Sequence, residues 1–477
     1  MTNLSRIRGV VIWSAIDKIT ASGIQLILNL LLARLIAPEE YALIAMISIF
    51  IAIGQTFIDS GFSQSLIHKQ NRTSIDVSTV FYFNIVAAFF FYFLIYMISP
   101  LIAKFYNNEI FTPLTRMVGL NLIISSFAIV QRALLTIKTD FKTQAAISFI
   151  SIISSGILGV FLAYKGYGVW ALVCQTLLNQ SLAVLLLWSI VRWRPQLIFS
   201  KGSFKELFSY GSKLLLSRVI NVICQNFHSI IIGKFYSRSS VAYFSNANQI
   251  SLYSACYLNE IVQRALFPIQ CEKQGDMQES KELYLKMLRL SSFIIFPLMM
   301  EIIVLSEPFV ITVLTDRWIG MIRLMQIIAF SYMWYPLMSS NQMFNVLGRT
   351  DLYLQTEIIK KLFFVLIVIV TLFLGVEAMC WGIVFYNIIE IIVTIIILKK
   401  IFPISFIEII KNITPSIFYS LCMTVVVYVT ILFISSFIEK LLLGFVVGLI
   451  SYLIIAVLFK SRDLQDIIRI IKAKNSK

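Results

Sequence analysis

The stretch GVVIWSAIDKITASGIQLILNLLLARLIA, residues 9–37, decides the fold, because it is long and apolar yet carries an ionic and polar face. At helical spacing that face holds Lys18, Ser22, Gln25 and Asn29. Lys18 lies about 13 Å from the start of the segment, near the middle of a hydrocarbon layer roughly 30 Å thick. A basic side chain at that depth costs about 2.5–3.5 kcal/mol on insertion scales. The segment therefore predicts a transmembrane helix whose polar face lines a wet interior.

The composition extends this prediction to the whole chain. Of 477 residues, 59% are hydrophobic and 13% are charged, which predicts an integral membrane protein. Apolar segments of about 20 residues recur with short connections, which is typical of an all-α protein with many spans. We predict fourteen transmembrane helices, centred near residues 23, 54, 90, 125, 154, 180, 221, 254, 297, 332, 363, 388, 425 and 450.

The net charge of +16 predicts a topology, not a nucleic-acid partner, because the basic residues are dispersed over loops. An N-terminus in the cytoplasm would place most Lys and Arg residues on the inner side. The external loops would then hold only Lys104, Lys165, Lys234, Arg238, Arg317 and Lys440. We therefore predict that both termini are cytoplasmic.

The polar face of the first span recurs 200 residues later, between Tyr210 and Gly233. Arg218 is at the position equivalent to Lys18, and Gln225 and Ser229 are equivalent to Gln25 and Asn29. Such recurrence predicts two parallel repeats of six spans each, related by an axis along the membrane normal. The predicted parts are an N-lobe (1–193), a cytoplasmic linker (194–206), a C-lobe (207–400), two extra helices (401–460) and a basic amphipathic tail (461–477).

Lys18 and Arg218 are the predicted binding residues for an anion, most naturally a phosphate or diphosphate, in a cavity shared by the two lobes. The predicted polar lining consists of Ser22, Gln25, Asn29, Asp59, Asn221, Gln225 and His228. Asp59 is also the predicted neutraliser of Lys18. The alternative for the lining residues is that they only join helices through hydrogen bonds worth about 0.6 kcal/mol each.

Four carboxylates within predicted spans are candidates for coupling transport to a proton or sodium gradient: Asp59, Glu301, Glu357 and Glu390. Each is equally compatible with a contact inside the helix bundle. Two histidines in the whole chain exclude a histidine-rich metal site, and no catalytic or nucleotide-binding motif is present. The expected class is a transporter without an enzymatic activity, a metal or a bound cofactor.

Five short segments carry a resemblance to a known family: Leu32–Ala42 (LARLIAPEEYA), Asp59–Ser63 (DSGFS), Gly166–Val173 (GYGVWALV), Asp316–Trp318 (DRW) and Gly348–Asp351 (GRTD). With them the chain resembles the polysaccharide-export flippases of the Wzx type, including O-antigen, colanic-acid and teichuronic-acid exporters. These belong to the multidrug/oligosaccharidyl-lipid/polysaccharide (MOP) superfamily.

The resemblance implies two six-helix lobes that form a V around a cationic cavity, two additional helices, and alternating access. It also implies translocation of undecaprenyl-diphosphate-linked oligosaccharides to the periplasmic leaflet of a bacterial inner membrane, beside other polysaccharide-assembly proteins. The sequence departs from the family at Ala42 and Ala242, where glycine is usual. Two alternatives stay open, a multidrug exporter of the same superfamily and a membrane glycan polymerase or ligase.

Overall fold

The computed structural model describes residues 23–59, 62–69, 71–273 and 275–466, and every regular element within them is helical. The helices are α1 (Gly23–Leu35), α2 (Pro38–Asp59), α3 (Phe62–His68), α4 (Ser74–Phe105), α5 (Phe111–Ile137), α6 (Phe141–Tyr164), α7 (Val169–Ile190), α8 (Lys201–Phe235), α9 (Arg238–Glu272), α10 (Met277–Val304), α11 (Ser306–Phe309), α12 (Met321–Met333), α13 (Tyr335–Met338), α14 (Gln342–Val346), α15 (Thr350–Thr371), α16 (Val376–Leu398), α17 (Phe406–Leu432) and α18 (Phe437–Leu458). A π-helical turn at Val310–Leu314 and 3-10 turns at Asp316–Trp318 and Ser339–Asn341 complete the connections.

Each of the fourteen predicted span centres lies in one of these helices. Among the described residues, nine helices are long and apolar enough to cross a membrane: α2, α4, α5, α6, α7, α10, α16, α17 and α18. The prediction of an all-helical, multi-pass membrane protein is thus confirmed. The count of fourteen crossings and the cytoplasmic termini stay predictions.

Charge, polarity and a chain break explain why three of the other predicted spans, in α8, α12 and α15, fall outside those nine. Helix α15 carries Glu357, Lys360 and Lys361 in its middle, and α8 carries Arg218 among many polar side chains. The predicted tenth span is broken after Met333, because Pro336 cannot continue the backbone hydrogen bonds of α12. The less apolar helices α8 and α15 thus carry Arg218 and Glu357, whereas Asp59, Glu301 and Glu390 lie in α2, α10 and α16.

Two of the family-like segments pack against each other. The turn before α7 needs glycine at Gly166 (φ 84°) and Gly168 (φ 56°), because both adopt positive φ. A Cβ atom on Gly168 would also collide with the carboxylate of Glu40, in the first turn of α2. Nearby, Leu32 and Ala171 are fully buried in one apolar cluster. The GYG turn is thereby fixed to the segment that joins α1 and α2.

The chain forms two compact units, Met1–Ala242 (unit 1) and Tyr243–Lys477 (unit 2). In unit 1, α8 packs on α2, α3 and α4. It runs antiparallel to α2, because Ser239 after α8 donates a hydrogen bond to Glu39 (2.5 Å) while Arg218 meets Asp59. The lobe boundaries derived from the repeat stay a prediction.

In unit 2, the last two helices are packed into the body of the fold. Helix α10 contacts α17, and α17 contacts α18. A Cβ atom on Gly444 would lie 2.6 Å from Leu305, and one on Gly448 would collide with Glu301, so these two glycines allow α18 to approach α10 closely. The Tyr452 hydroxyl of α18 donates to the Phe293 carbonyl of α10 at 2.7 Å. Although the predicted repeat contains no partner for them, α17 and α18 are part of the unit 2 core.

Candidate functional site

An ion pair between two helices of unit 1 contains one of the two predicted anion-binding residues. Arg218 Nη1 of α8 lies 2.7 Å from Asp59 Oδ2, at the end of α2. Ser63 of α3 donates to the other carboxylate oxygen at 2.6 Å. The Arg218 and Asp59 side chains are 35% and 28% exposed, so neither charge is sealed inside the unit. Asp59 therefore pairs with Arg218. Its predicted role as the neutraliser of Lys18 stays a prediction, because Lys18 lies outside the described residues.

The ion pair lies toward one end of unit 1. Twenty residues separate Glu39 from Asp59 along α2, a distance of about 30 Å, which equals the thickness of a hydrocarbon core. In the sequence, the segment that carries Arg218 was placed between Tyr210 and Gly233, but α8 begins at Lys201. The pair consequently lies near the end of α2 that leads into α3, and not midway along it.

A second ionic cluster fixes α3 and α4 to α8 at this end. Lys69 lies 2.9 Å from Glu206 of α8 and 3.2 Å from Asp76 of α4. The hydrogen bond to Glu206, followed by the interaction with Asp76, raises the pKa of Lys69 above its ordinary value. Ser65 also donates to the Leu207 carbonyl at 3.1 Å. These contacts hold the segment that follows Asp59 against the helix that carries Arg218.

Aromatic side chains pack beside these polar contacts. The ring of Phe62 lies 4.8 Å from that of Phe83 and 5.8 Å from that of Phe204, measured between centroids. Phe204 in turn stacks on Phe208 at 5.4 Å. Aromatic pairs of this kind add about 0.5–1.5 kcal/mol beyond their buried area. The end of unit 1 next to the ion pair therefore carries a mixed ionic and aromatic cluster.

The predicted polar face of the first span is only partly covered by the structure. On α1, Gln25 donates to Asn29 at 2.9 Å, as expected for side chains four residues apart. Lys18 and Ser22 lie outside the described residues. The predicted meeting of Lys18 with Arg218 therefore stays a prediction.

On α8, the predicted lining residues follow Arg218 at spacings of three and four residues, which places them on one helix face. Asn221 and Gln225 are exposed, whereas His228 is buried. The polar face of α8 thus changes from open to enclosed along its length, in the direction away from the ion pair.

Two of the predicted coupling carboxylates share one lysine that the sequence analysis missed. In unit 2, Lys360 Nζ lies 2.5 Å from Glu357 on its own helix and 2.8 Å from Glu390 on α16. The Lys360 side chain is only 1% exposed. The sequence feature that could have predicted this ion pair is the Glu-x-x-Lys spacing within an apolar helix, which places both side chains on one face.

Glu301 is in different surroundings. It is buried on α10, and in the part of the chain that the structure describes its Oε1 atom has no hydrogen-bond partner. It faces Gly448 of α18. The four candidate carboxylates therefore divide into one half-exposed ion pair, one buried lysine complex and one buried acid against a glycine. Within the ranges that the structure describes, no group of three His, Cys, Asp or Glu side chains is arranged to hold a metal.

A helical membrane fold with a half-exposed arginine, a buried lysine complex and an enclosed carboxyl is the architecture of a membrane transporter. Solved structures show the same fold. The lipid II flippase MurJ in an inward closed conformation aligns with 95% of this chain and 99% of its own, at a TM-score of 0.78 and 17% identity. An inward-facing multidrug resistance MATE family transporter of the MOP superfamily aligns with 82% of this chain and 99% of its own, at a TM-score of 0.63 and 18% identity.

The polysaccharide biosynthesis protein family matches residues 31–323, and the chain belongs to that family. The teichuronic acid biosynthesis protein TuaB of Bacillus subtilis (strain 168) is 26% identical over 344 residues, 71% of each chain. The lipopolysaccharide biosynthesis protein WzxC of Escherichia coli (strain K12) is 23% identical over 318 residues, 66% of this chain and 65% of its own. The succinoglycan biosynthesis transport protein ExoT of Rhizobium meliloti (strain 1021) is 21% identical over 306 residues, 64% of this chain and 62% of its own. The resemblance drawn from the short segments is thus confirmed.

Proposed function

We propose that this protein is a flippase that moves an undecaprenyl-diphosphate-linked oligosaccharide across the bacterial inner membrane for surface polysaccharide biosynthesis. The observation that carries the proposal is Arg218, a half-exposed arginine in a long helix, in a chain of the polysaccharide biosynthesis family. Fourteen membrane crossings, cytoplasmic termini and alternating access belong to the same proposal.

Arg218 supplies the attraction for the diphosphate. Its planar guanidinium forms two parallel hydrogen bonds to phosphate oxygens, which a lysine cannot do. At an effective dielectric constant near 20, one contact at 4 Å between unit charges is worth about 4 kcal/mol before desolvation. A diphosphate carries more charge than one carboxylate, so it competes effectively for the same guanidinium.

Asp59 is the internal competitor in this mechanism. Exposed ion pairs contribute about 0.2–1 kcal/mol, and the exposure of Asp59 and Arg218 places their contact near that class. Such a contact is weak enough for a diphosphate to displace. Asp59 holds the arginine in position while the site is empty and releases it when the substrate arrives.

The remaining polar residues have supporting roles in the proposal. Lys18, the counterpart of Arg218 in the repeat, provides the second cation. Gln25, Asn29, Asn221 and Gln225 provide hydrogen bonds for the glycan, and the prenyl chain stays in lipid. A proton or sodium gradient drives the cycle, and Glu301 is the carboxylate that we assign to coupling, because Glu357 and Glu390 already hold Lys360.

The proposal is tested by leaflet-to-leaflet transfer of a fluorescent undecaprenyl-diphosphate oligosaccharide in proteoliposomes, with and without an imposed proton or sodium gradient. We expect transfer by the wild-type protein and its loss in the Lys18→Ala/Arg218→Ala double variant. Lys165→Ala, in an exposed turn, is the matched control.

If the double variant is present at normal abundance and transfers the lipid at the wild-type rate, the proposal that Lys18 and Arg218 bind the diphosphate is wrong. A deletion strain with altered drug resistance and intact surface polysaccharide would instead support the multidrug exporter. Glycan-chain growth by the purified protein would favour the polymerase alternative.

A further inference from the structure

Lys360 occupies the point where two carboxylates from neighbouring helices converge. Its ammonium lies 2.5 Å from Glu357 and 2.8 Å from Glu390. Lys360 is 1% exposed, whereas Glu357 and Glu390 are 23% and 12% exposed. The cation is therefore more deeply buried than either of the anions that hold it.

Two carboxylates on adjacent helices, both close to one point, form the kind of oxygen-rich position that hard cations prefer. Here the point is filled by an ammonium that is covalently attached to the chain. A tethered cation cannot leave during a transport cycle. It also reduces the charge of the position from −2 to −1, which halves the attraction for another cation, and the ammonium already occupies the point between the carboxylates.

Two polar pairs in the adjoining helices are engaged with each other. Helix α16 packs against α12, and there the Tyr332 hydroxyl donates to Asn248 at 2.9 Å while Asn387 donates to Ser331 at 2.7 Å. Lys361, the next residue along α15, projects roughly 100° away around the helix, since adjacent residues do not share a face. Lys360 is thus the basic side chain that serves both carboxylates.

We propose that Lys360 is a built-in counter-cation that takes the place of a coupling sodium ion between Glu357 and Glu390. On this basis unit 2 requires no free cation at this position. The proposal rests on the proposed function only in treating the protein as a transporter. It assigns a role to a residue for which none was predicted from the sequence.

The test is thermal unfolding of the full-length protein in nanodiscs at pH 8, followed by tryptophan fluorescence in sodium chloride and in choline chloride of equal ionic strength. We expect the wild-type midpoint to be the same in both salts. The midpoint of Lys360→Met should fall in choline and be about 2–4 °C higher in sodium, because a bound ion stabilises only the folded state.

Two further variants make the result specific. Lys361→Met removes the adjacent lysine and should show no sodium response. The triple variant Glu357→Gln/Lys360→Met/Glu390→Gln has no charge at this position and should also be insensitive to sodium.

Three outcomes would overturn the proposal: a wild-type sodium response as large as that of Lys360→Met, equal midpoints of Lys360→Met in both salts, or a Lys360→Met protein that cannot be recovered in either salt. In the last case sodium does not replace the ammonium. Because the readout is unfolding and not lipid transfer, failure here leaves the flippase proposal standing, and failure in the proteoliposome assay leaves this result intact.

Discussion

The basic side chains of Arg218 in unit 1 and Lys360 in unit 2 each lie in a helix predicted to span the membrane, yet their surroundings differ sharply. Arg218 is 35% exposed and pairs with Asp59, which is itself 28% exposed. Lys360 is 1% exposed and is held by Glu357 and Glu390. The comparison separates a half-exposed cation with one partner from a buried cation held between two carboxylates.

Desolvation gives the physical reason for the difference. A half-exposed pair keeps part of its hydration, so breaking it has a small effect on the free energy of unfolding. A buried charge that loses its partner has neither water nor a counter-ion, and such losses amount to about 3–5 kcal/mol. The exposed pair is suited to bind a ligand, and the buried complex is suited to hold two helices together.

The largest expected effect is on stability. Lys360→Met should lower the free energy of unfolding by about 3–5 kcal/mol in choline salts, because it leaves two mostly buried carboxylates together. Arg218→Met should lower it by about 1 kcal/mol or less. Chemical denaturation of both variants under identical conditions measures the difference, and equal losses would remove the distinction between the two sites.

The next effect concerns transfer of the lipid-linked oligosaccharide. Arg218→Met should reduce the transfer rate by about tenfold to a hundredfold, because a hydrogen bond to a charged group is worth roughly 1.5–3 kcal/mol. Arg218→Lys should retain part of the rate, since it keeps the charge but loses the bidentate geometry. An Arg218→Lys protein as inactive as Arg218→Met would show that shape, and not charge, determines recognition.

A smaller effect is expected from removing the competitor. Asp59→Asn should tighten the binding of inorganic diphosphate by up to about fivefold, which corresponds to a pair worth no more than about 1 kcal/mol. Isothermal titration calorimetry of the purified protein provides the measurement, with Asp140→Asn, in the turn before α6, as the control. Weaker binding by Asp59→Asn would mean that the carboxylate positions the arginine for the ligand and does not compete with it.

The smallest effect is the response to ionic strength. A double-mutant cycle measures the coupling energy between Asp59 and Arg218. This energy should fall toward zero as potassium chloride is raised from a low concentration to about 1 M, where the Debye length is about 3 Å. The coupling between Lys360 and Glu390 should stay nearly constant, because the pair is shielded from solvent ions. Equal salt dependence of the two couplings would contradict the assigned difference in burial.

Helical periodicity was sufficient to predict the all-helical membrane fold. The spacing of Gln25 and Asn29 correctly predicted two neighbouring side chains on α1. Periodicity was not sufficient to predict that the tenth span is broken after Met333, because the apolar composition continues across the break. Pro336 is the residue that indicates the break. Composition reports on how apolar a segment is, and not on whether its backbone is continuous.

Helical periodicity could not predict which side chains form ion pairs between helices that are far apart in sequence. Asp59 and Arg218 are 159 residues apart in sequence, and their contact depends on how α8 packs against α2. Glu390 reaches Lys360 from the next helix, 30 residues away. The sequence identified three of these four ionic side chains as candidates, but which charge meets which, and how deeply, is set by helix packing.

The close approach of α18 to α10 has a consequence for any shortened form of the chain. Small residues spaced four apart, such as Gly444 and Gly448, are a common surface for pairing two membrane helices from different chains. Here the Gly448 position is covered by Glu301 of the same chain. A protein truncated before α17 would therefore turn an enclosed acid outward to the lipid acyl chains. During synthesis, Glu301 of α10 enters the membrane before α17 and α18, and it becomes enclosed only when these two helices pack against α10.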